Sequence, residues 1–156
     1  MSAEPPAFGE SLRLPVLGRL QLADRSWVVD AGTFAGGFDC RTRAGTWSVK
    51  KSETHAIVSH DEHKPTEWRL EEVLVDSAAI ALLTDEAKAE LEDDDAGEAF
   101  ALNDIDEALF GDEAATGLLT TPEGHAVYAV RVAGDGPCEV AIGYRGDDAV
   151  ALIIPL

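Results

Sequence analysis

Along most of this chain apolar residues alternate with polar ones rather than recurring at helical spacing. Leu12, Leu14 and Val16 alternate up to a turn at Gly18. Leu20 and Leu22 alternate after it, and Trp27-Val28-Val29 is a short apolar run. Period two is the mark of a half-buried strand. Residues 31–38 hold three glycines and read as a loop or bulged connection. Residues 46–49 and 56–58 predict paired strands around a polar stretch at 50–54. Residues 60–65 read as a turn and 67–75 as a longer strand. Residues 78–83 are apolar throughout, and so short a run does not separate strand from helix by period.

The pattern changes at Thr84. Thr84 suits an N-cap, and Asp85 and Glu86 follow it in a first turn where the helix dipole favours negative charge. A helix is predicted through Leu91. A second short helix is expected from Asn103, with Ile105, Leu109 and Phe110 on one apolar face. Residues 92–97 then read as an exposed connection. Alternation returns at 126–132 and 138–144, and 149–154 reads as a third strand, separated by Gly/Asp turns at 133–137 and 145–148. This predicts a C-terminal three-strand antiparallel meander. Residues 1–10, with Pro5, Pro6 and Gly9, show no period and read as a flexible arm. The expectation is a single α+β, mainly β domain over 11–156. It has antiparallel sheets, one or two short helices within 84–112, and an acidic insert over 84–116.

Length and composition set the class: 156 residues suffice for one packed core. Charge changes the picture. Thirty acids against 12 bases give −18, which argues against a nucleic-acid binder, whose phosphate contacts need clustered Lys and Arg. No run approaches a membrane span and no signal pattern opens the chain. Cys40 and Cys138 form no CxxC pair and read as small buried residues of a cytoplasmic protein.

The excess charge is concentrated. Residues 85–113 carry 13 acids and one base, Lys88. Salt adaptation spreads acids over all surfaces, whereas a cluster suits a docking face for a basic protein. Asp93, Asp94, Asp95, Asp104, Asp106 and Glu107 supply its charge, with Leu109 and Phe110 as apolar anchors. Asp93, Asp94 and Asp95 are adjacent rather than alternating, so an EF-hand loop is not supported.

Signals for chemistry are sparse. His55, His60 and His63 lie near Glu53, Asp61 and Glu62, but Pro65 and the flanking β pattern place them at a hairpin tip rather than on a zinc. His125 reads as a turn residue. No nucleophile elbow and no phosphate-cradling glycine loop occurs. No catalytic residue, metal or cofactor is assigned. Asp76, at a strand end, is expected to accept backbone N–H bonds from residues 77–80. The hexapeptides WVVDAG (27–32) and VLVDSA (73–78) are faintly alike.

Two longer pieces, VDSAAIALLTDEA (75–87) and GDGPCEVAIGYRGDDAVALII (134–154), are similar to a bacterial family, that of domain of unknown function 4241. Asp76, Asp85, Gly134, Asp135, Gly136 and Val140 match its pattern. Residues 17–20 and 44–49 look like its early strands. This chain has Ala78 or Ala79 where the family carries a glycine, ends in Pro155-Leu156 rather than Asp-Phe, and has an acidic insert at 92–116 without a family counterpart. The resemblance implies a β-rich single domain and no activity.

Three functions follow as expectations. The first is a non-enzymatic, immunity- or antitoxin-like module that docks a basic protein through 85–113, mimicking the charge of nucleic acid. The second is a small-ligand or metal-dependent enzyme, which needs Asp76, Asp135 and a histidine to converge on one pocket. The third is a salt-adapted domain with no special partner.

Overall fold

The computed structural model describes residues 4–111 and 117–156. The chain runs α1 (Pro6–Ser11), β1 (Gly18–Leu22), β2 (Arg25–Asp30), β3 (Phe38–Arg41), β4 (Gly45–Lys51), β5 (His55–His60), β6 (Glu67–Val75) and β7 (Ala79–Thr84). It continues through α2 (Asp85–Leu91), α3 (Asp94–Phe100), a π-helical turn (Ala101–Ile105) and α4 (Asp106–Phe110). It closes with β8 (Leu118–Thr120), β9 (Ala126–Arg131), β10 (Gly136–Arg145) and β11 (Asp148–Pro155). The mainly β, α+β expectation holds, and every strand pairing within the two sheets is antiparallel.

One sheet has the order β1-β4-β5-β11-β10-β6 and the other β3-β2-β7-β9-β8. They face each other across the main core. Leu20, Trp47, Val58, Val73, Ile142 and Leu152 come from the first sheet, and Val28, Ile80, Leu82, Tyr128 and Val130 from the second. The outer face of the second sheet is covered by the α2–α4 segment. There Ala79, Ala81, Leu83, Val127 and Ala129 pack against Ala87, Leu91, Phe100 and Ile105. The outer face of the first sheet is covered by α1, whose Ala7 and Phe8 meet Ile57, Trp68, Ala151 and Ile153. Burial on both faces explains why residues 78–83 show no alternation: every position of β7 is buried.

Several expectations are corrected. Residues 6–11 are not a loose arm: α1 starts with proline in its first turn, where the missing N–H costs nothing. Phe8 packs edge-on against Trp68 at 5.2 Å between ring centroids. A single turn of helix carries too few residues to show a period. The alternation at 12–16 is not a strand, since pairing begins at Gly18 and Leu12 is 64% exposed. β3 follows directly from the glycine-rich stretch and lies beyond what the pattern predicts.

The C-terminal meander is also corrected. β10 and β11 form the expected hairpin, but β9 belongs to the other sheet, between β7 and β8. The turn at 133–137 therefore crosses between layers. Strand spacing alone does not distinguish a turn within one sheet from a turn between two.

Candidate functional site

Thr84 caps α2 as its sequence predicts, its hydroxyl accepting the Ala87 N–H at 3.2 Å. Trp27 of β2 fixes this helix from below. Its indole N–H donates to Asp85 at 2.8 Å, and the Lys88 ammonium lies 4.7 Å over its ring. Residues 92–97 are not a free connection. The Asp93 carboxylate accepts the N–H groups of Asp95 and Ala96 and caps α3, so the second helix starts ten residues earlier than its apolar face suggests. Gly97 makes the corner possible: a Cβ there would lie 2.3 Å from the Leu91 carbonyl oxygen.

The helix then passes through the π-helical turn, in which the Asp106 N–H donates to the Ala101 carbonyl. That wider turn brings Phe100 and Ile105, five residues apart, onto the same buried face. Leu109 is partly buried against this core, and Phe110 stands 41% exposed with the Arg131 guanidinium 4.6 Å over its ring.

Asp85, Glu86, Glu92, Asp93, Asp95, Glu98, Asp104, Asp106 and Glu107 are exposed along this run. The expected docking residues Asp93, Asp95, Asp104, Asp106, Glu107 and Phe110 are thus all exposed on the segment from the α3 cap to the end of α4. Asp94 opens α3, and residues 112–116 of the insert lie outside the described residues. Between α3–α4 and the second sheet is a cleft of about 200 Å³. Ala31, Ala79, Ala101 and Ile105 line its apolar walls. Leu102 and Phe110 stand at its edge with Glu98 and Asp106. Leu102, 62% exposed in the π-helical turn, is an apolar side chain at the cleft that the sequence reading does not name, because it precedes the helix start expected at Asn103.

The sheet side of the cleft is held by Asp30. Asp30 is 1% exposed and accepts six hydrogen bonds. Oδ2 takes the N–H groups of Gly32 and Thr33 and the Thr33 hydroxyl. Oδ1 takes the N–H groups of Asp76 and Ser77 and the Ser77 hydroxyl. Burial by itself would raise this carboxyl's pKa, but the bonds from Asp76, Ser77 and Thr33 outweigh it and hold the group below the usual carboxylate range. The role expected of Asp76 therefore belongs to Asp30, its counterpart in the first of the two similar hexapeptides. Asp76 is exposed and contributes its backbone N–H instead.

The other motif residues sit at the same end of the sheets. Asp135 accepts the Ala78 N–H at 2.9 Å, and Gly136 has φ +116 where β10 begins opposite Val75. Gly134 lies in the preceding turn. Asp76 and Asp135 are not joined by a histidine in any cluster of donor groups among the described residues. His60 is used within its own hairpin, Nε2 against the Ala44 carbonyl at 3.1 Å and Nδ1 accepting the Glu62 N–H at 3.0 Å. Both cysteines are free thiols. Burial, with Asp39 and Glu71 nearby, pushes Cys40 up to about 12, so it is not a nucleophile at neutral pH.

Comparison with protein-family models, with curated proteins and with solved structures finds no match. That result neither supports nor overturns the resemblance to the family of domain of unknown function 4241. No helix among the described residues is long and apolar enough to cross a membrane.

Proposed function

We propose that this protein is a non-enzymatic, cytoplasmic module that binds a basic partner protein through its α2–α4 face, in the manner of an immunity protein or antitoxin. One observation carries the reading. The acidic helical face contains a cleft, with Leu102 and Phe110 exposed at its edge beside Glu98 and Asp106. A lysine or arginine has an apolar stem and a charged head, and such a cleft offers a surface for each. The surrounding carboxylates accelerate encounter with a positive surface and disfavour acidic competitors. The Phe110 ring already holds one guanidinium, that of Arg131.

The test is capture of partners by the tagged chain and by two variants, Asp104→Asn/Asp106→Asn/Glu107→Gln and Leu102→Ser. The expected result is a basic protein retained by the wild type, released by high salt and lost with either variant. A bound protein that ignores salt and both variants refutes the reading.

A further inference from the structure

We propose that Glu90, Glu123 and His125 form a binding site for a divalent transition ion of the zinc class, with Glu86 as the outer acceptor at the far ring nitrogen. This site is separate from the cleft and does not depend on the basic-partner reading. Glu86 and Glu90 lie one turn apart on α2, so both carboxylates project to the same side. Glu123 and His125 come from the turn between β8 and β9. The donor atoms of Glu90, Glu123 and His125 all lie within 4.8 Å of one another.

His125 carries the argument. Its Nδ1 is 2.9 Å from Glu90 Oε1, and its Nε2 is 3.5 Å from Glu86 Oε2. A neutral imidazole has one N–H and one lone pair. With a carboxylate at each nitrogen, the neutral ring satisfies one and turns a lone pair on the other. An ion bound at Nδ1 beside Glu90 and Glu123 leaves the ring proton on Nε2, facing Glu86.

The surroundings are those of a held ligand set. The Glu90 side chain is only 7% exposed and accepts from the Thr121 hydroxyl and from the Glu123 N–H at 3.1 Å. Thr121 Oγ1 in turn accepts the His125 N–H at 3.0 Å, which sets the shape of the turn. Hydrogen-bonded carboxylates and oriented histidines are the usual outer support of metal ligands. A tetrahedral ion with bonds near 2.1 Å places its ligands roughly 3.4 Å apart. Glu86 and Glu123 are exposed at the rim of the cluster. An imidazole with carboxylates and no thiolate suits zinc, cobalt or nickel better than calcium, which prefers an all-oxygen shell.

The experiment is calorimetric titration of chelator-treated full-length protein with Zn²⁺, and with Co²⁺ followed by its visible absorption. The expected result is one ion per chain with Kd of about 10 μM or tighter and a Co²⁺ spectrum of low coordination number. His125→Gln and Glu123→Gln should each weaken binding about tenfold or more. Glu123→Gln keeps the backbone N–H that serves Glu90, so its circular dichroism and metal-free Tm should match the wild type. Absence of binding by the folded wild type overturns the proposal. Binding that survives both variants, or that a roughly hundredfold excess of Ca²⁺ displaces, overturns it as well, because either result describes general attraction to an acidic surface.

Discussion

Asp30 Oδ1 accepts the backbone N–H of Ser77 at 2.9 Å, across 47 residues of sequence. The same carboxylate holds the turn after β2 through its other oxygen. One buried side chain thereby fixes the ends of β2 and β6 and the start of β7, which form the sheet side of the cleft. Asp30→Asn puts an amide NH₂ where acceptors are needed and leaves buried N–H groups facing it. The expected loss is about 3 kcal/mol, from one to three per unsatisfied buried group. Urea unfolding with an unchanged m-value measures it.

The same carboxyl predicts a pH dependence. Its folded pKa lies below its unfolded value, which is about 3.9 for aspartate. The stabilisation is therefore fully present above the unfolded pKa. It is lost as pH falls through the folded pKa, when the native carboxyl must take up a proton. Wild-type stability should fall between about pH 5 and the acid limit, and Asp30→Asn should remove part of that slope. An unchanged slope in the variant would assign acid lability to other groups.

Ala78 has φ +55, a left-handed conformation that an alanine occupies at a cost of about 1 kcal/mol or more. It is held there by its N–H bond to Asp135. Ala78→Gly should raise stability by about 0.5–1 kcal/mol, less than the full strain because glycine also frees the unfolded chain. The measurement is a shift in Tm, and a decrease would show that the Cβ packs usefully.

Phe8 is buried against Trp68 on the outer face of the first sheet. Phe8→Ala should destabilise the whole domain by about 3 kcal/mol, within the range for buried aromatics. A flexible arm predicts no change, so denaturant unfolding distinguishes the two directly.

Tyr128 is 1% exposed, and its hydroxyl has no hydrogen-bond partner among the described residues. Burial pushes its pKa up to about 12. Tyr128→Phe removes an unpaired buried polar atom while keeping the ring that fills the space between the sheets. The expected effect is neutral to about 1 kcal/mol stabilising. A loss above that range would reveal a bound water at the hydroxyl.

Much of this molecule is legible along the chain. Strand-like runs locate β4, β5, β6, β9, β10 and β11, with period-two alternation clearest in β9 and β10. Thr84 with Asp85 and Glu86 marks the start of α2, because an N-cap and a helix dipole act within one turn. The acidic character of 85–111 is likewise a property of the sequence, whatever the fold does with it. These features depend on neighbours a few residues away, and local steric and electrostatic rules suffice for them.

The tertiary structure decided the rest. Which sheet β9 joins depends on β7 partners such as Ala79, which pairs with Arg131 far along the chain, and alternation is the same in either sheet. Whether Pro6–Ser11 is an arm or a packed helix depends on the apolar face of a sheet it does not belong to. The two similar hexapeptides each end a strand with an aspartate, but only Asp30 is enclosed by donors, because only there do two turns meet. The pairing of His125 with Glu86 and Glu90 has the same origin: the residues lie 35 or more positions apart, and the packing of α2 against the β8–β9 turn brings them together.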